Sequence, residues 1–371
     1  MRDYMAILNL AENENDIRAL TTNRPIASIP IGSRYRVVDF MLSNLVNAGV
    51  RNVGVFTESN SRSLADHLGT GKPWDLNRKI DGLFLFNHGL CNLMYTDSKL
   101  IKNNMEYIYR SKSKDVILSS SYMVCNMDLA AVAEAHEASG ADITVVYTHT
   151  NRADTDFSNC FTLNIDPDNG EITGAGKNIA VGKEADICME IFLMKKERLT
   201  DFIYKSTSLN SLGSFYNLIF DQLGVLKFNA YRFDGYVSCI NTVSSYFKSN
   251  MDMLDLDVSS ELFRNSDRPI FTKIKDEPPT LYVKGCKVGN SLIADGCRIE
   301  GTVTDSLLGR YVDVEEGAVV ENSIILQNVR IHKNARLSHV IIDKNVDIDE
   351  NTVLKGNEFF PLVIEKRNLL R

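Results

Sequence analysis

The sequence predicts two domains of different architecture, an α/β domain with a mainly parallel sheet followed by a parallel β-helix. Short apolar runs alternate with amphipathic stretches up to about residue 250, as expected for strands joined by crossover helices. From Val288 onward, aliphatic residues instead recur at about every sixth position, with short slips, and Gly, Asn, Asp and Lys lie between them. We therefore place the α/β domain at residues 1–265, a proline-containing linker at 266–280 and the β-helix at 281–371.

The composition argues against several classes of partner. The 371 residues carry a net charge of −7, which disfavours a nucleic-acid partner bound through phosphate neutralisation. No apolar run reaches the roughly 18 residues of a membrane-spanning helix, and the amino terminus lacks the apolar segment of a signal peptide. The seven cysteines are odd in number and form no CxxC pair, which favours reduced, buried thiols. We therefore expect a cytoplasmic protein with neither a nucleic-acid nor a membrane partner.

The first element is an apolar strand at Met5–Leu10, where nucleotide-binding α/β domains usually begin. Such a strand normally leads into a glycine-rich loop, because glycine lets backbone N–H groups close around a phosphate. Here residues 11–18 contain no glycine and carry the carboxylates of Glu12, Glu14 and Asp16. These charges would repel a phosphate at this turn. The sequence therefore predicts a nucleotide-binding scaffold with a disabled phosphate loop.

The elements after this loop follow the same alternation of strand and helix. Apolar spacing predicts two helices, one at residues 37–49 that ends at a C-cap glycine and one at residues 129–136. It also predicts three more strands, at residues 53–56, 116–118 and 143–147. Ligands bind beyond the carboxyl ends of the strands in open sheets of this kind. The loops after Leu10, Phe56 and Leu118 are therefore the expected site.

The second half of the chain carries the six-residue repeat. One inward aliphatic residue per flat face is the signature of a parallel β-helix, in which each coil buries its face against its neighbours. The recurring positions are Ile293, Ile299, Leu308, Val314, Val320, Ile325, Ile331, Leu337, Ile342, Ile348 and Leu354. Such coils occur in acyltransferases but more generally form assembly surfaces, so we interpret His332 and His339 as exposed coil residues rather than bases. The apolar tail at 359–364 is expected to dock on the coil or on a partner.

Three motifs in order accompany this architecture. Residues 29–44 read IPIGSRYRVVDFMLSN, residues 53–57 read VGVFT, and residues 67–78 read HLGTGKPWDLNR. In these motifs the chain resembles bacterial glucose-1-phosphate adenylyltransferases (ADP-glucose pyrophosphorylases), whose first pattern is PFGGKYRIIDFxLSN. The likeness extends nearly from end to end. It implies a Rossmann-like nucleotidyltransferase domain followed by a left-handed β-helix of hexapeptide repeats.

The catalytic motifs of that family are altered in this chain. The glycines and the arginine of its GGxGTRL triphosphate loop are missing, and Ile26 stands where the family has the lysine of RAKPA. The two Mg²⁺-binding aspartates of the family fall near Ser121 and on Cys239, and Glu190 replaces a glycine of the sugar pocket. A serine and a thiol cannot replace two anionic oxygen ligands. The resemblance therefore implies no catalytic residue and no metal or other cofactor in this chain, with Mg²⁺ expected only at a catalytic partner.

Two further positions are assigned by this resemblance alone. The GTADA segment of the family corresponds to about Thr96–Leu100, and Lys177 is the candidate for its sugar-binding lysine. Asp39, within the first motif, is expected to brace the junction between a strand and the following helix rather than to act in catalysis.

The function implied by the resemblance is that of a catalytically impaired subunit that modulates the ADP-glucose-forming enzyme of bacterial glycogen synthesis. It would assemble with the catalytic GlgC-type subunit, as a heterotetramer, and a phosphorylated sugar is a possible effector. The candidate binding residues are Arg24, Arg34, Arg36 and Trp74. The alternatives are structural ion pairs for the arginines and a packing role for Trp74, which is expected to be half-buried.

Two other functions stay open from the sequence. One is a weakly active sugar-nucleotide transferase that uses other carboxylates, such as Asp97 or Asp128. The other is a stand-alone module that binds sugar phosphates and uses the β-helix only to oligomerise. An acyltransferase is disfavoured, because it would leave the α/β domain unexplained.

Overall fold

The computed structural model describes residues 1, 3–57, 61–87, 97–178, 182–208 and 215–366. They form an α/β domain, an extended connector and a β-helix, so the predicted fold class is confirmed. The domain limits at residues 265 and 281 remain predictions. Cys91, Thr96 and most of the loop after Phe56 lie outside the described residues.

The strands of the α/β domain are short, except for β11, which has 11 residues. They are β1 (Tyr4–Leu10), β2 (Pro30–Ile31), β3 (Tyr35–Arg36), β4 (Asn52–Thr57), β5 (Gly82–Asn87), β6 (Asp115–Ser119), β7 (Met123–Val124), β8 (Ile143–Thr150), β9 (Phe161–Ile165), β10 (Ile172–Lys177), β11 (Ala185–Lys195), β12 (Phe228–Arg232) and β13 (Ser238–Cys239).

The helices of the same domain cover the sheet and link its strands. They are α1 (Arg18–Thr21), α2 (Val37–Asn47), α3 (Arg62–Leu68), α4 (Asp97–Asn103), α5 (Met105–Arg110), α6 (Leu129–Ser139), α7 (Ala153–Asp156), α8 (Lys196–Ser208), α9 (Phe215–Phe220), α10 (Val243–Asp252) and α11 (Leu256–Phe263). None of the helices in the described part of the chain is long and apolar enough to cross a membrane.

A nine-stranded sheet forms the centre of this domain. Its parallel part has the order β6-β1-β4-β5, in the register Leu8↔Ser119 and Leu8↔Val55. Strand β11 lies antiparallel to β6 and also pairs with β8 and β9. The parallel arrangement therefore holds for the part around β1. The rest is largely antiparallel because the long β11 reverses the strand direction.

Helix α2 forms as the sequence predicts. The Asp39 carboxylate accepts the Arg36 backbone N–H at 2.9 Å, which caps the first turn and braces the junction with β3. At the other end, Gly49 has a φ of 85°, a conformation that glycine adopts without strain. The predicted bracing by Asp39 and the predicted glycine at the end of the helix are thus confirmed.

The connector between the domains is fixed to the first domain. Residues 264–280 form no helix or strand. The Phe271 N–H donates to the Ser43 hydroxyl at 2.8 Å, and the Asn47 side chain donates to the Pro269 carbonyl at 3.0 Å. These bonds attach the segment to α2, so it has the proline content of a linker but a defined path.

The β-helix consists of three parallel sheets of five strands each. Their orders are β14-β17-β20-β23-β26, β15-β18-β21-β24-β27 and β16-β19-β22-β25-β28. The strands are β14 (Leu281–Tyr282), β15 (Lys287–Gly289), β16 (Leu292–Ile293), β17 (Arg298–Ile299), β18 (Thr302–Thr304), β19 (Leu307–Leu308), β20 (Asp313–Val314), β21 (Val319–Glu321), β22 (Ile324–Ile325), β23 (Arg330–Ile331), β24 (Arg336–Ser338), β25 (Val340–Ile342), β26 (Asp347–Ile348), β27 (Val353–Lys355) and β28 (Leu362–Ile364).

The six-residue repeat builds the core of these coils. Nine of the eleven predicted inward residues are buried, and Ile293 and Leu354, in the terminal coils, are partly buried. In the described part of the chain, the first-coil strands β14, β15 and β16 each pair on one side only. The tail docks as expected through β28, which pairs with β25, whereas Phe359 and Phe360 stay exposed.

The two histidines of the coils are half-buried rather than exposed. His332 Nδ1 lies 3.0 Å from a Glu315 carboxylate oxygen, and His339 Nδ1 lies 3.0 Å from the Ser338 hydroxyl. Glu315 lies on the coil next to that of His332, and the Phe247 ring of α10 lies 6.2 Å from the His339 ring, so both imidazoles are partly covered.

The two domains share a packed and charged interface. Leu307, Ile324 and Ile341 of the β-helix are buried in the same apolar cluster as the α/β core. Beside them, Arg24 forms a buried ion pair with Asp343 at 2.9 Å. The β-helix is therefore held directly against the α/β domain.

Candidate functional site

The first candidate site is the cleft at the carboxyl ends of β1 and β6, where a nucleotide would lie in such a sheet. A cavity of about 150 Å³ lies there, and we refer to it as the sheet-end cleft. Its polar and charged lining includes Asn9, Glu12, Asp16, Tyr122, Lys177, Glu190 and Asn241. The loops after Leu10 and Leu118 meet here, as the sequence predicts.

Glu12 turns back from the loop after β1 onto the end of β6. Its Oε1 accepts hydrogen bonds from the Ser121 backbone N–H and hydroxyl, both at 2.9 Å. Its Oε2 is buried, with no hydrogen-bond partner among the described residues. Burial raises the pKa of Glu12 from 4.5 to about 7, the Ser121 bonds oppose the shift, and nearby Glu190 adds to it. The loop thus places a carboxyl group where a phosphate loop would place N–H donors.

Glu190 brings a second carboxyl group into the same cleft. It lies in a bulge of β11 between Cys188 and Ile191, with a φ of 53° that a non-glycine residue rarely adopts. The Tyr122 hydroxyl donates to Glu190 Oε1 at 2.7 Å. Burial first, and then the neighbouring carboxylate, raise the pKa of Tyr122 well above its usual value. The bulge therefore directs the Glu190 side chain into the cleft, at a position where the family has a glycine and hence no side chain.

The positions of the family's metal ligands also meet at this cleft. Ser121 lies just after β6, and β13 places Cys239 against Met123 two residues further on. The Sγ atoms of Cys239 and Cys160 are 3.4 Å apart. Burial, then the Cys160 thiol, raise the pKa of Cys239 well above its usual value. The thiol is therefore protonated at neutral pH.

This donor set does not fit Mg²⁺. The ion takes oxygen ligands in octahedral geometry, mainly carboxylates, phosphates and water. Glu12 and Glu190 are already hydrogen-bonded to Ser121 and Tyr122, and a protonated thiol is a poor ligand for a hard cation. Within the described ranges, no group of three or more His, Cys, Asp or Glu residues is arranged to hold a metal.

Other predicted positions around the cleft carry no catalytic geometry. Ile26 is fully buried, and its backbone N–H donates to Glu14 at 3.1 Å. Asp128 accepts N–H bonds from Ala130 and Ala131 and so caps helix α6. Lys177 lines the cleft, with its Nζ 5.8 Å from the centre of the Phe161 ring.

The second candidate site is a cavity of about 170 Å³ between the α/β domain, the connector and the β-helix. Six cationic side chains and one carboxylate line it, and we refer to it as the cationic pocket. The charged residues are Arg34, Arg36, Lys273, Lys275, Arg310, Lys344 and Asp66. Positive charge gathered in a partly enclosed cavity attracts anions.

The cations of this pocket raise one another's electrostatic energy. Burial, followed by repulsion from Arg36 and Arg24, lowers the pKa of Lys344 to about 7. Burial likewise lowers the pKa of Arg36 to about 10. The pKa values of Lys275 and Arg310 are lowered for the same first reason. A bound anion would relieve this repulsion, so the pocket is prepared for negative charge.

Hydrogen bonds hold the α/β side of the pocket in place. One Arg36 Nη donates to the Ser63 carbonyl at 2.6 Å and to the Ser28 and Ser63 hydroxyls at 3.1 and 3.0 Å. Nearby, His67 Nε2 lies 2.5 Å from an Asp39 carboxylate oxygen. The guanidinium group is therefore positioned before any ligand arrives.

The four predicted binding residues separate into two pairs. Arg34 and Arg36 line the cationic pocket. Arg24 instead forms the ion pair with Asp343, and its Nε donates to the Leu20 carbonyl at 2.9 Å. Trp74 is 1% exposed and packs edge-on against His67, so the expectation that it is half-buried is wrong.

Four cations of the pocket were missed by reasoning from the sequence. Lys273 and Lys275 lie in the connector, while Arg310 and Lys344 come from turns of the β-helix. Each looks like an ordinary surface charge in its own segment. The alternation in Lys273-Ile274-Lys275 is a weak local signal, since it places two lysines on one side of an extended chain.

Comparisons with known proteins agree with this architecture. Residues 16–157 match the family model described as nucleotidyl transferase, and residues 281–358 match the model described as GlmU-like, C-terminal hexapeptide. The "Glycogen biosynthesis protein GlgD" of Bacillus subtilis (strain 168) is 32% identical over 365 residues, covering 98% of this chain and 95% of that protein. The protein of the same name from Geobacillus stearothermophilus is 37% identical over 312 residues, covering 82% and 79%.

A second kind of relative is also similar over the whole chain. The "Glucose-1-phosphate adenylyltransferase" of Bacillus anthracis is 27% identical over 364 residues, covering 95% of this chain and 94% of that protein. The likeness therefore extends through both domains and the connector between them.

Proposed function

The chain belongs to the GlgD family, and we propose that it is a catalytically impaired, modulatory subunit of glucose-1-phosphate adenylyltransferase in bacterial glycogen biosynthesis. That enzyme converts ATP and glucose 1-phosphate to ADP-glucose and pyrophosphate. The chain would act by assembling with the catalytic GlgC-type subunit, as a heterotetramer. The observation that carries this proposal is the sheet-end cleft, in which the loop after β1 supplies a carboxyl group instead of phosphate-binding donors.

The chemistry of the cleft supports weak or absent catalysis. Nucleotidyl transfer needs Mg²⁺ and cationic groups to neutralise the triphosphate as the transition state forms. Here Glu12 and Glu190 bring negative charge to the cleft, and Ile26 removes the family's lysine. Losing one such group slows phosphoryl-type transfer by orders of magnitude. Losing them together leaves little activity in this subunit.

The cationic pocket supports a modulatory role. Its cations come from the α/β domain, the connector and the β-helix, so an anion bound there would tie the three parts together. A ligand that binds one arrangement of the parts better than another shifts the population toward it. We assign the phosphorylated sugar effector to this pocket, with Arg34 and Arg36 among its contacts.

The test compares ADP-glucose formation by the catalytic subunit alone with formation by the co-expressed pair. We expect the two chains to co-elute in size-exclusion chromatography and the pair to form ADP-glucose faster. An unchanged rate without co-elution would contradict the proposal. The isolated chain, given Mg²⁺, ATP and glucose 1-phosphate, should release almost no pyrophosphate. Steady release would instead favour the weakly active transferase.

The effector site is tested in the same pair with the double variant Arg310→Gln/Lys344→Gln. We expect it to lose the response of the rate to glucose 6-phosphate or inorganic phosphate while still co-eluting. Lys355→Gln is the matched control, because Lys355 is exposed on the last coil and does not line the pocket. Binding of sugar phosphates by the chain alone, with no effect on the catalytic subunit, would favour the stand-alone module.

A further inference from the structure

A third cavity, of about 1080 Å³, lies between helices α10 and α11 and one corner of the β-helix. We refer to it as the coil-corner groove. It exceeds the several hundred Å³ that enclose most small ligands, so it can accept an elongated one. Its lining residues are distinct from those of the sheet-end cleft and of the cationic pocket.

One wall of the groove is a ladder of polar side chains. Asn290, Asp305, Asn322 and His339 follow one another by 15 or 17 residues, one in each successive coil. All four have positive φ values, between 38° and 53°, and so occupy the same corner of the coils. Neighbouring parallel strands are about 4.8 Å apart, which sets the rise of the ladder. Its amide, carboxylate and imidazole groups offer donors and acceptors at regular steps.

The rest of the lining mixes charged and polar side chains with five apolar ones. Phe247, Met251, Leu254 and Leu256 lie on or beside α10 and α11, and Phe359 lies in the turn before β28. Leu256 and Phe359 are each 71% exposed. An exposed aromatic ring offers a flat apolar face beside the polar ladder. A sugar ring matches such a lining, because its faces carry C–H groups and its rim carries hydroxyls.

The charge of the groove selects among ligands. Six of its lining residues carry carboxylates, whereas Arg152 and Lys248 supply two cations. This excess disfavours phosphorylated ligands, in contrast to the cationic pocket. Four of the six carboxylates, those of Asp156, Asp252, Asp255 and Asp305, already form ion pairs or accept hydrogen bonds within the protein.

These internal bonds favour a neutral ligand over a basic peptide. A carboxylate in an ion pair gains little from a second cation, but its remaining lone pairs can still accept a hydroxyl. The same holds for the ladder. Asn290 donates to Asp305 at 2.7 Å, and the remaining donor and acceptor positions of both side chains can still bind a ligand. Many weak hydrogen bonds beside an apolar ring suit a polyhydroxylated chain.

We propose that the coil-corner groove binds a linear, uncharged oligosaccharide, specifically an α-glucan chain. The choice of a glucan rests on the proposed function in glycogen biosynthesis, whereas the preference for an uncharged sugar chain rests on the lining alone. The ladder would hydrogen-bond the hydroxyl rims of successive sugar units. Phe359 would stack on the face of one unit at the end of the groove.

The test uses the full-length chain and isothermal titration calorimetry with maltoheptaose, a linear uncharged α-glucan. We expect saturable binding by the wild-type protein. Phe359→Ala should weaken it about tenfold, the loss expected for one aromatic contact. Phe360→Ala is the matched control and should bind as the wild type does, because Phe360 is 79% exposed but does not line the groove. Since both side chains are exposed, neither variant should impair folding.

Three results would overturn the inference: no saturable binding of maltoheptaose, equal loss in both variants, or binding of a lysine-rich heptapeptide in place of the glucan. The proposed function is judged separately by the rate of the co-expressed pair. If the pair works without glucan binding, only the groove inference fails. If the glucan binds but the pair shows no change in rate and no co-elution, only the proposed function fails.

Discussion

Glu12 shows how a single side chain changes the chemistry of a nucleotide-binding scaffold. A phosphate loop closes backbone N–H donors around its ligand, whereas this loop directs a carboxyl group onto the Ser121 N–H and hydroxyl. The donors at the end of β6 are therefore satisfied from within the chain. Glu190 adds a second acid held by Tyr122. At this scale, hydrogen bonds to two acidic side chains occupy donors that a phosphate could otherwise use.

Replacing Glu12 by glutamine should stabilise the protein at alkaline pH. The pKa of Glu12 is raised from 4.5 to about 7 in the folded state, so the folded chain holds the proton more tightly than the unfolded chain does. Its contribution to the free energy of unfolding therefore falls as the pH rises from about 4.5 through 7. The Glu12→Gln variant should unfold at a higher temperature than the wild type at about pH 8, and the gap should shrink toward about pH 5.

Asp16→Asn serves as the control for this measurement, because Asp16 is an exposed carboxylate in the same loop. It should shift the unfolding temperature little at either pH. A wild-type protein and a Glu12→Gln variant with parallel pH profiles would contradict the assignment.

Lys344 should take up a proton when the cationic pocket binds an anion. Its pKa is lowered to about 7 by burial and by nearby Arg36 and Arg24, so much of it is neutral above that pH. A bound phosphate stabilises the charged amine and raises the pKa, so protons enter on binding. Calorimetry with inorganic phosphate at about pH 8, in buffers of different ionisation enthalpy, measures this uptake. Lys344→Gln should abolish it, and Lys355→Gln should keep it.

The pKa shift of Lys344 also has a consequence for folding. Because the folded-state pKa lies below the unfolded value of 10.5, this residue adds stability as the pH rises from about 7 toward 10.5. This dependence of stability on pH is opposite in sign to that of Glu12. Thermal unfolding of the Glu12→Gln and Lys344→Gln variants distinguishes the two contributions.

At the scale of elements, the β-helix was the easiest part to predict from the sequence. Its period of six is local, so each coil reports the same inward position without reference to the rest of the chain. The antiparallel orientation of β11 was not predicted, because an apolar run of this length has the same sequence pattern beside parallel and antiparallel neighbours. The bulge at Glu190 was missed for the same reason, although the change from glycine to glutamate was visible.

The coils should tolerate little loss of volume at their centre. Ile331 is fully buried between neighbouring coils, and Ile331→Ala should lower the free energy of unfolding by about 2–5 kcal/mol through lost burial and the cavity left behind. Val353→Ala, at a side chain that is 68% exposed, should cost less than about 0.5 kcal/mol. Denaturant unfolding of both variants measures the difference. Equal losses would contradict the inward assignment of the repeat.

At the scale of the whole molecule, two cavities of opposite character form where the domains meet. Only two of the six cations of the cationic pocket were predicted, since Arg34 and Arg36 belong to a recognisable motif while the other four lie far along the chain. Nothing local ties these residues together, because their proximity depends on how the coils dock. The same holds for Arg24, whose partner Asp343 lies 319 residues away.

The Arg24–Asp343 ion pair should couple the two domains. Both side chains are 7% exposed, so Asp343→Asn leaves a buried guanidinium without its counter-charge and should cost about 3–5 kcal/mol. The double variant Arg24→Met/Asp343→Asn should be less destabilised than Asp343→Asn alone, because no unpaired charge is buried. Denaturant unfolding of the single and double variants gives the coupling. Additive losses would show that the pair does not act as a unit.

The one-sided pairing of β14, β15 and β16 bears on whether copies of the protein associate through their strand edges. Their outer backbone groups form an open rim that a second coil stack could extend into a fibre. Lys284 and Lys287 are exposed on this rim. Two such rims brought face to face would press these like charges together, which disfavours pairing of two copies through their first coils.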